Sequence, residues 1–320
     1  MAKVVVTNRI PAEAIAMLQA EHSVVVWDEP ECIDRATCLE LIAGAEGILT
    51  LLTEKVDDAF LEAAGPQLKV VANVAVGYNN IDVVACEKRG IVATNTPRVL
   101  TETTADTAFG LMLMVTRRFG EGERLIRNKT PWQWGMFFLL GMGLQGKTLG
   151  IVGMGQIGIA MARRAKVFGM DIVYSDDYEL PAAVADELGA RHVSFEELLR
   201  VSDVVSLHCP YLPATHHLMG AEQFAAMKPT AYLVNSARGP IVDEQALVDA
   251  LKAGEIAGAG LDVFEKEPAV HDELLTMENV VLLPHLGSAT TETRRDMATL
   301  AADNCLRVLR GQAPLTPVTH

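Results

Sequence analysis

Apolar and polar positions alternate along this chain in two periods that take turns: short β-branched runs, then stretches of helical spacing. Over residues 1 to 97 the runs Lys3–Thr7, Val24–Trp27, Gly47–Leu51, Lys69–Val74 and Val92–Thr94 predict strands. Ala12–Ala20, Arg35–Ala43, Asp57–Ala63 and Ile81–Arg89 predict helices between them. Strand–helix alternation of this kind predicts a parallel sheet with right-handed crossovers. This first unit has no glycine fingerprint for phosphate, and its one suggestive turn is Val76-Gly77-Tyr78. From Thr101, an N-cap candidate, to about Asn128 the spacing predicts one long helix, apolar enough in its middle to be buried. It suits an interdomain or intersubunit element. Residues 129 to 147 lose periodicity and carry Trp132, Trp134 and Met136–Leu140. Two readings fit them: core packing of a loop, or aromatic side chains offered to a substrate cleft, a partner subunit's included.

The alternation resumes with strands at Thr148–Val152, Asp171–Tyr174, Asp203–His208, Ala231–Asn235, Gly258–Phe264 and Asn279–Leu283. Helices are predicted at Phe195–Val201, Ala221–Met227 and Asp243–Ala253, the last with Asp243 as N-cap and Gly254 as stop. After the first of these strands runs Gly153-Met-Gly-Gln-Ile-Gly158, followed by a helix with Ile157, Met161, Ala165 and Phe168 on one face. In a strand–turn–helix context Gly153 permits the tight turn, Gly155 lets backbone N–H groups approach a pyrophosphate, and Gly158 lets the helix sit close to its strand. The helix N-terminus adds partial positive charge. Asp176 lies 18 residues past Gly158, after the second strand, where a carboxylate accepts the adenosine ribose hydroxyls and repels the extra phosphate of NADP. Asp177 is the alternative for that contact. Six strands with the fingerprint after the first predict a doubly wound dinucleotide-binding unit. A closing helix, Thr290 to Arg310, is expected to return the chain to the first unit through Leu300, Cys305 and Leu309. The fold class is therefore α/β: two Rossmann-like or flavodoxin-like domains with a cleft between them.

Composition narrows the function. The 320 residues suffice for two domains, and half of them are hydrophobic. A net charge of −14, from 27 basic and 41 acidic residues, argues against a nucleic-acid-binding surface. The five cysteines are scattered and include no C-x-x-C pair, so neither a disulfide framework nor a metal site is expected. The opening residues are too short in apolar run for a signal segment, no run approaches membrane-spanning length, and a cytoplasmic location is expected.

Three side chains at or just past strand ends suit reduction of a carbonyl: Arg238 in NSARG, Glu267 in LDVFEKEP and His285 in LPHLGS. Hydride delivery leaves charge on oxygen, so a donor near neutral pKa must protonate it, and His285 is suited to that task. A carboxylate on the imidazole, Glu267, would favour its charged form and fix which nitrogen faces the substrate. The planar guanidinium of Arg238 can hold a substrate carboxylate and polarise the neighbouring carbonyl. Asp262 fits either the nicotinamide side or a strand-end cap.

Taken together, GMGQIG, Asp176, HCP at 208–210, NSARGPIVDE, AGAGLDVFEKEP and PHLGSAT resemble the D-isomer-specific 2-hydroxyacid dehydrogenase family over nearly the whole chain. NVAVGYNNID, NTPRVLTETTAD and GLQGKTLGIVGMGQIG are most similar to its glyoxylate and hydroxypyruvate reductases. The resemblance implies NADH-dependent reduction of a small 2-oxo acid, with His285 as proton donor, Glu267 as its support and Arg238 binding substrate. It also implies Val76 and Gly77 at the substrate carboxylate, and Thr104, Gln156, Ile157, Pro210, Thr215, Ala237, Asp262 and Gly287 around NAD. A homodimer built on the Thr101 helix is implied as well, with a substrate domain of residues 1–98 plus 289–320 and an NAD-binding domain of 99–288. Three departures stand out: Arg98 where relatives carry glycine, Asn79 where aspartate is frequent, and Asp176-Asp177 where NADP users have serine and arginine. Other D-2-hydroxyacid dehydrogenases, of 3-phosphoglycerate or 2-ketogluconate, are alternatives, as is a non-catalytic NAD(H)-responsive binding protein of the same fold.

Overall fold

The computed structural model describes residues 1–319, and they divide into two compact units: Met1–Leu100 with the chain from Ser288 onward, and Thr101–Gly287. In the first unit strands β1 (Lys3–Val6), β2 (Ser23–Val26), β3 (Gly47–Thr50), β4 (Val70–Asn73) and β5 (Val92–Thr94) lie parallel in the order β2-β1-β3-β4-β5. Helices α1 (Ala12–Gln19), α2 (Arg35–Ile42), α3 (Asp58–Ala64) and α4 (Val83–Lys88) connect them. Asp34, Asp57 and Asp82 begin three of these helices by accepting backbone N–H groups of the first turn. Because strand side chains alternate, Val4, Val6, Leu49, Val70 and Ala72 face α1 and the closing helix, Thr291–Leu309. Val5, Ile48, Val71 and Ala93 face the opposite layer, with Cys38, Phe60 and Cys86. The closing helix packs through Met297, Ala298, Ala301, Ala302, Cys305 and Leu306, whereas Leu300, expected in that face, is only half-buried. A two-residue strand, Pro317–Val318, pairs antiparallel with β5. Its Pro-flanked sequence carries no strand period, and none was predicted there.

The second unit is a seven-stranded parallel sheet where six strands were predicted. It begins with helices α5 (Thr101–Thr116) and α6 (Phe119–Arg127). Strands β6 (Thr148–Val152), β7 (Asp171–Ser175), β8 (Ala190–His192), β9 (Val204–Leu207), β10 (Tyr232–Asn235), β11 (Gly258–Leu261) and β12 (Val280–Leu282) lie in the order β12-β11-β10-β9-β6-β7-β8. Helices α7 (Gln156–Val167), α8 (Ala182–Leu188), α9 (Phe195–Val201), α10 (Ala221–Ala226) and α11 (Glu244–Ala253) are the crossovers. The additional strand reads Ala-Arg-His at the sheet edge with two exposed side chains, so no apolar run announces it. The order reverses between β6 and β9, which opens a crevice at the carboxyl ends of those strands. Leu149, Ile151, Val204 and Val234 face α5 and α7, while Val205, Leu207 and Leu233 face α9, α10 and α11.

The single long helix predicted from Thr101 is two. Arg118 adopts a left-handed backbone (φ 55°) and its guanidinium forks onto both oxygens of Glu121, each at 2.8 Å. Gly120 and Gly122 follow, and glycine is a poor helix continuer. Thr101 is the first helical residue, not the cap. α5 is buried through Ala105, Ala108, Leu111, Met112 and Val115, but α6 buries nothing. The core-packing reading fails for the aromatic part of residues 129–147, where Trp132, Trp134, Met136, Phe137 and Leu140 are exposed, Phe137 to 88%, but it holds for Leu144, which is buried in the core of the second unit.

Candidate active site

The glycine turn sits at the sheet's reversal point. Gly153 has φ +90°, and a Cβ there would lie 2.4 Å from the Cys209 nitrogen, so the turn admits no side chain. A Cβ at Gly158 would lie 2.4 Å from the Gly153 carbonyl oxygen, which is how closely α7 approaches the turn. Nothing lies within 4 Å of one placed at Gly155, the exposed residue that begins α7. Among the described residues the N–H groups of Gly155, Gln156 and Ile157 have no intramolecular acceptor, as the first turn of a helix leaves them. Asp176, directly after β7, accepts the Met154 N–H through Oδ2 at 2.6 Å, which brings its carboxylate against the turn; Asp177 beside it is exposed. Open space, free donors and an adjacent carboxylate fit a dinucleotide, with its pyrophosphate at Gly155–Gly158 and its ribose at Asp176.

Around that crevice, Thr215 closes the loop after β9 by donating to the Pro210 carbonyl at 2.8 Å and accepting from the Leu212 N–H at 2.8 Å. Ala237 donates its N–H to Asn235 Oδ1 at 3.0 Å, and Asn235 Nδ2 donates to the Arg238 carbonyl at 3.0 Å. Asn235, fully buried, thus shapes the turn that carries Arg238, a role to which its place in NSARG gave no clue.

His285 follows β12 in a left-handed backbone (φ 55°). Its N–H bonds the Asp262 carbonyl at 2.9 Å, while the Asp262 carboxylate takes the N–H groups of Leu286 at 2.6 Å and Gly287 at 2.8 Å. Asp262 is therefore the cap of the histidine turn. Burial pushes its carboxyl above the ordinary value, and the two N–H donors oppose that shift. Gly287 lies against Thr104 of α5, where a Cβ would meet Thr104 Cγ2 at 3.3 Å.

The imidazole Nδ1 of His285 is 2.8 Å from Glu267 Oε2, and Glu267 Oε1 accepts the Phe264 N–H at 3.0 Å. Burial raises the Glu267 carboxyl, but the hydrogen bond and charge of His285, the Phe264 N–H and the charge of Arg238 outweigh it and hold the group below its ordinary value. Glu267 is thus a carboxylate that occupies Nδ1 and leaves Nε2 as the free ring nitrogen. Arg238 is half-buried; burial pulls its guanidinium below the ordinary value, and the charge of Glu267 opposes the shift. Its Nη1 donates to the Ala237 carbonyl at 2.7 Å. Val76 and Gly77 belong to the first unit, in the loop after β4. There Asn95 Nδ2 holds the Val76 carbonyl at 2.8 Å and Asn73 Nδ2 the Gly77 carbonyl at 3.0 Å. Among the described residues no cluster of side chains could hold a metal ion.

A nucleotide crevice with an imidazole–carboxylate pair and an arginine on neighbouring strand ends defines a nicotinamide-dependent oxidoreductase acting on an alcohol–carbonyl couple. The chain belongs to the D-isomer specific 2-hydroxyacid dehydrogenase family, whose NAD binding domain matches residues 109–287. It is 48% identical over 316 residues to the glyoxylate reductase of Thermococcus litoralis, spanning 98% of this chain and 95% of that one. A Thermus thermophilus protein of known structure superposes with a TM-score of 0.93 at 42% identity, covering 99% of this chain and all of the other. The NADPH-dependent glyoxylate/hydroxypyruvate reductase of Sinorhizobium meliloti, solved with NADP and malonate, gives 0.86 at 35% identity over 99% and 96% of the two chains. The protein is an NAD-dependent oxidoreductase whose substrate is a small hydroxy or oxo acid. Among the described residues no helix is long and apolar enough to cross a membrane.

Proposed function

We propose that the protein reduces glyoxylate, or hydroxypyruvate, to the corresponding 2-hydroxy acid with NADH, giving the D isomer where the product is chiral. The contact of 2.8 Å between His285 Nδ1 and Glu267 Oε2 carries this reading. Bound NADH supplies the hydride. Arg238 pairs with the substrate carboxylate and polarises the adjoining carbonyl. Protonated His285 gives its Nε2 proton to the oxygen on which charge develops. Glu267, held ionised, stabilises the imidazolium and keeps Nε2 as the donor. In the reverse direction neutral His285 takes the alcohol proton.

Asp176, already at the turn through Met154, supports NAD over NADP, in contrast to the Sinorhizobium meliloti reductase named for NADPH. The exposed apolar side chains from Phe119 to Leu140 support a homodimer. Five unbridged thiols, four of them buried, support a cytoplasmic site of action. The test is initial rates with glyoxylate, hydroxypyruvate, 2-ketogluconate and phosphohydroxypyruvate, each with NADH and NADPH. The first two substrates with NADH are expected to give the highest kcat/KM. No NADH oxidation with any of the four would end the reductase reading, and equal efficiency with NADPH would end the role given to Asp176.

A further inference from the structure

Two residues before Glu267, the chain after β11 is gripped from three sides. The buried carboxylate of Glu244, first residue of α11, accepts the Glu265 N–H through Oε1 at 2.7 Å. The Glu265 carboxylate is bonded by Nε2 of His217, which lies in the segment after β9. Gly239, at the turn after β10, abuts the same peptide, where a Cβ would sit 1.9 Å from the Phe264 carbonyl carbon. His217 makes its bond from a left-handed backbone (φ 50°), fixed by its own N–H on the Pro240 carbonyl at 2.8 Å. Neither His217 nor Glu244 was among the candidate site residues read from the sequence. A non-glycine residue in that backbone region and a carboxylate buried on backbone N–H groups, of Glu265 and His271, both cost stability, and both bear on Glu265.

We infer that His217 and Glu244 are positioning residues that clamp Glu265 so that Glu267 stays on Nδ1 of His285. The physical need is plain: the imidazole changes charge in each turnover, and a carboxylate free to swing away in the neutral state would release the ring orientation on which proton transfer depends. This inference rests on the proposed role of Glu267, and the test separates the two.

His217→Gly keeps the left-handed backbone without strain while deleting the imidazole, Glu244→Ala deletes the acceptor, and Glu244→Gln retains one oxygen for the Glu265 N–H. Each is measured for kcat and KM with glyoxylate and NADH, for NADH affinity by fluorescence, and for thermal midpoint, alone and combined with Glu267→Gln. Expected are a fall in kcat of about 10- to 100-fold for His217→Gly and Glu244→Ala, with NADH affinity within about twofold of the parent, and substantial recovery in Glu244→Gln. In the Glu267→Gln background the same substitutions are expected to cost nothing further, since the group they position is gone. Losses that multiply in that background, or wild-type kcat in His217→Gly beside an impaired Glu267→Gln, overturn the clamp while leaving the role of Glu267 intact. Wild-type kcat in Glu267→Gln overturns both. If Glu244→Ala does not fold, His217→Gly decides.

Discussion

His285 reaches its place through a backbone conformation that costs a β-carbon-bearing residue about 1 kcal/mol or more, and the Asp262 carboxylate and carbonyl hold it there with three hydrogen bonds. Substituting His285→Asn, which tolerates that conformation but carries no transferable proton, is expected to lower kcat by about 10²- to 10⁴-fold with NADH affinity preserved, as measured by steady-state rates and fluorescence titration. A second histidine makes a prediction about stability. Burial depresses the His208 pKa to about 4, with Ser206 Oγ 2.8 Å from its Nε2. The unfolded chain therefore binds a proton near pH 6.5 that the folded chain refuses until about pH 4. The stability His208 contributes is complete above pH 6.5 and lost as pH falls toward 4, by at most ~3 kcal/mol. His208→Gln should flatten the thermal midpoint against pH in that window. The reactive side chains were legible in the sequence because arginine, glutamate and histidine each stand at a strand end. Asn235, Glu244 and His217 were not, because a side chain that bonds backbone or a neighbouring loop leaves no spacing by which to find it.

Among the elements, the strand–turn–helix from β6 to α7 was readable because three glycines satisfy three different steric demands there. Gly158→Ala is expected to force α7 off the Gly153 carbonyl, lowering unfolding stability by about 1–3 kcal/mol and weakening NADH binding, while Gly155→Ala, with open space around it, leaves the melting temperature near the parent's. Calorimetry and NADH titration check both. The break between α5 and α6 was not legible, since Arg118 and Glu121 read as an ordinary helical pair until the arginine is seen in the left-handed region. β8 escaped for the opposite reason: an edge strand with exposed Arg191 and His192 has no apolar face to display.

For the whole molecule, alternation along the chain sufficed to predict two parallel α/β units, and the sheets have the orders of such folds. What it did not convey was exposure. Trp134 at 74% and Phe137 at 88% lie on a stretch whose apolar composition reads as core. An apolar patch of this kind on a chain of net charge −14 is expected to be covered by a second copy. Phe137→Glu should shift sedimentation from dimer toward monomer without changing the melting of either sheet's core. A dimer unchanged by that substitution would place its interface elsewhere.

The first unit's sheet is covered by a helix made long after its strands. One face of its strands, with Val4, Val6, Leu49, Val70 and Ala72, is covered in part by Met297, Ala298, Ala301 and Ala302 of the closing helix. On the ribosome that face stays uncovered while nearly two hundred intervening residues, the continuous Thr101–Gly287 unit, are synthesised. The nucleotide-binding unit therefore has the opportunity to fold first, and the amino-terminal strands must wait, exposed to chaperones, for the closing helix to emerge.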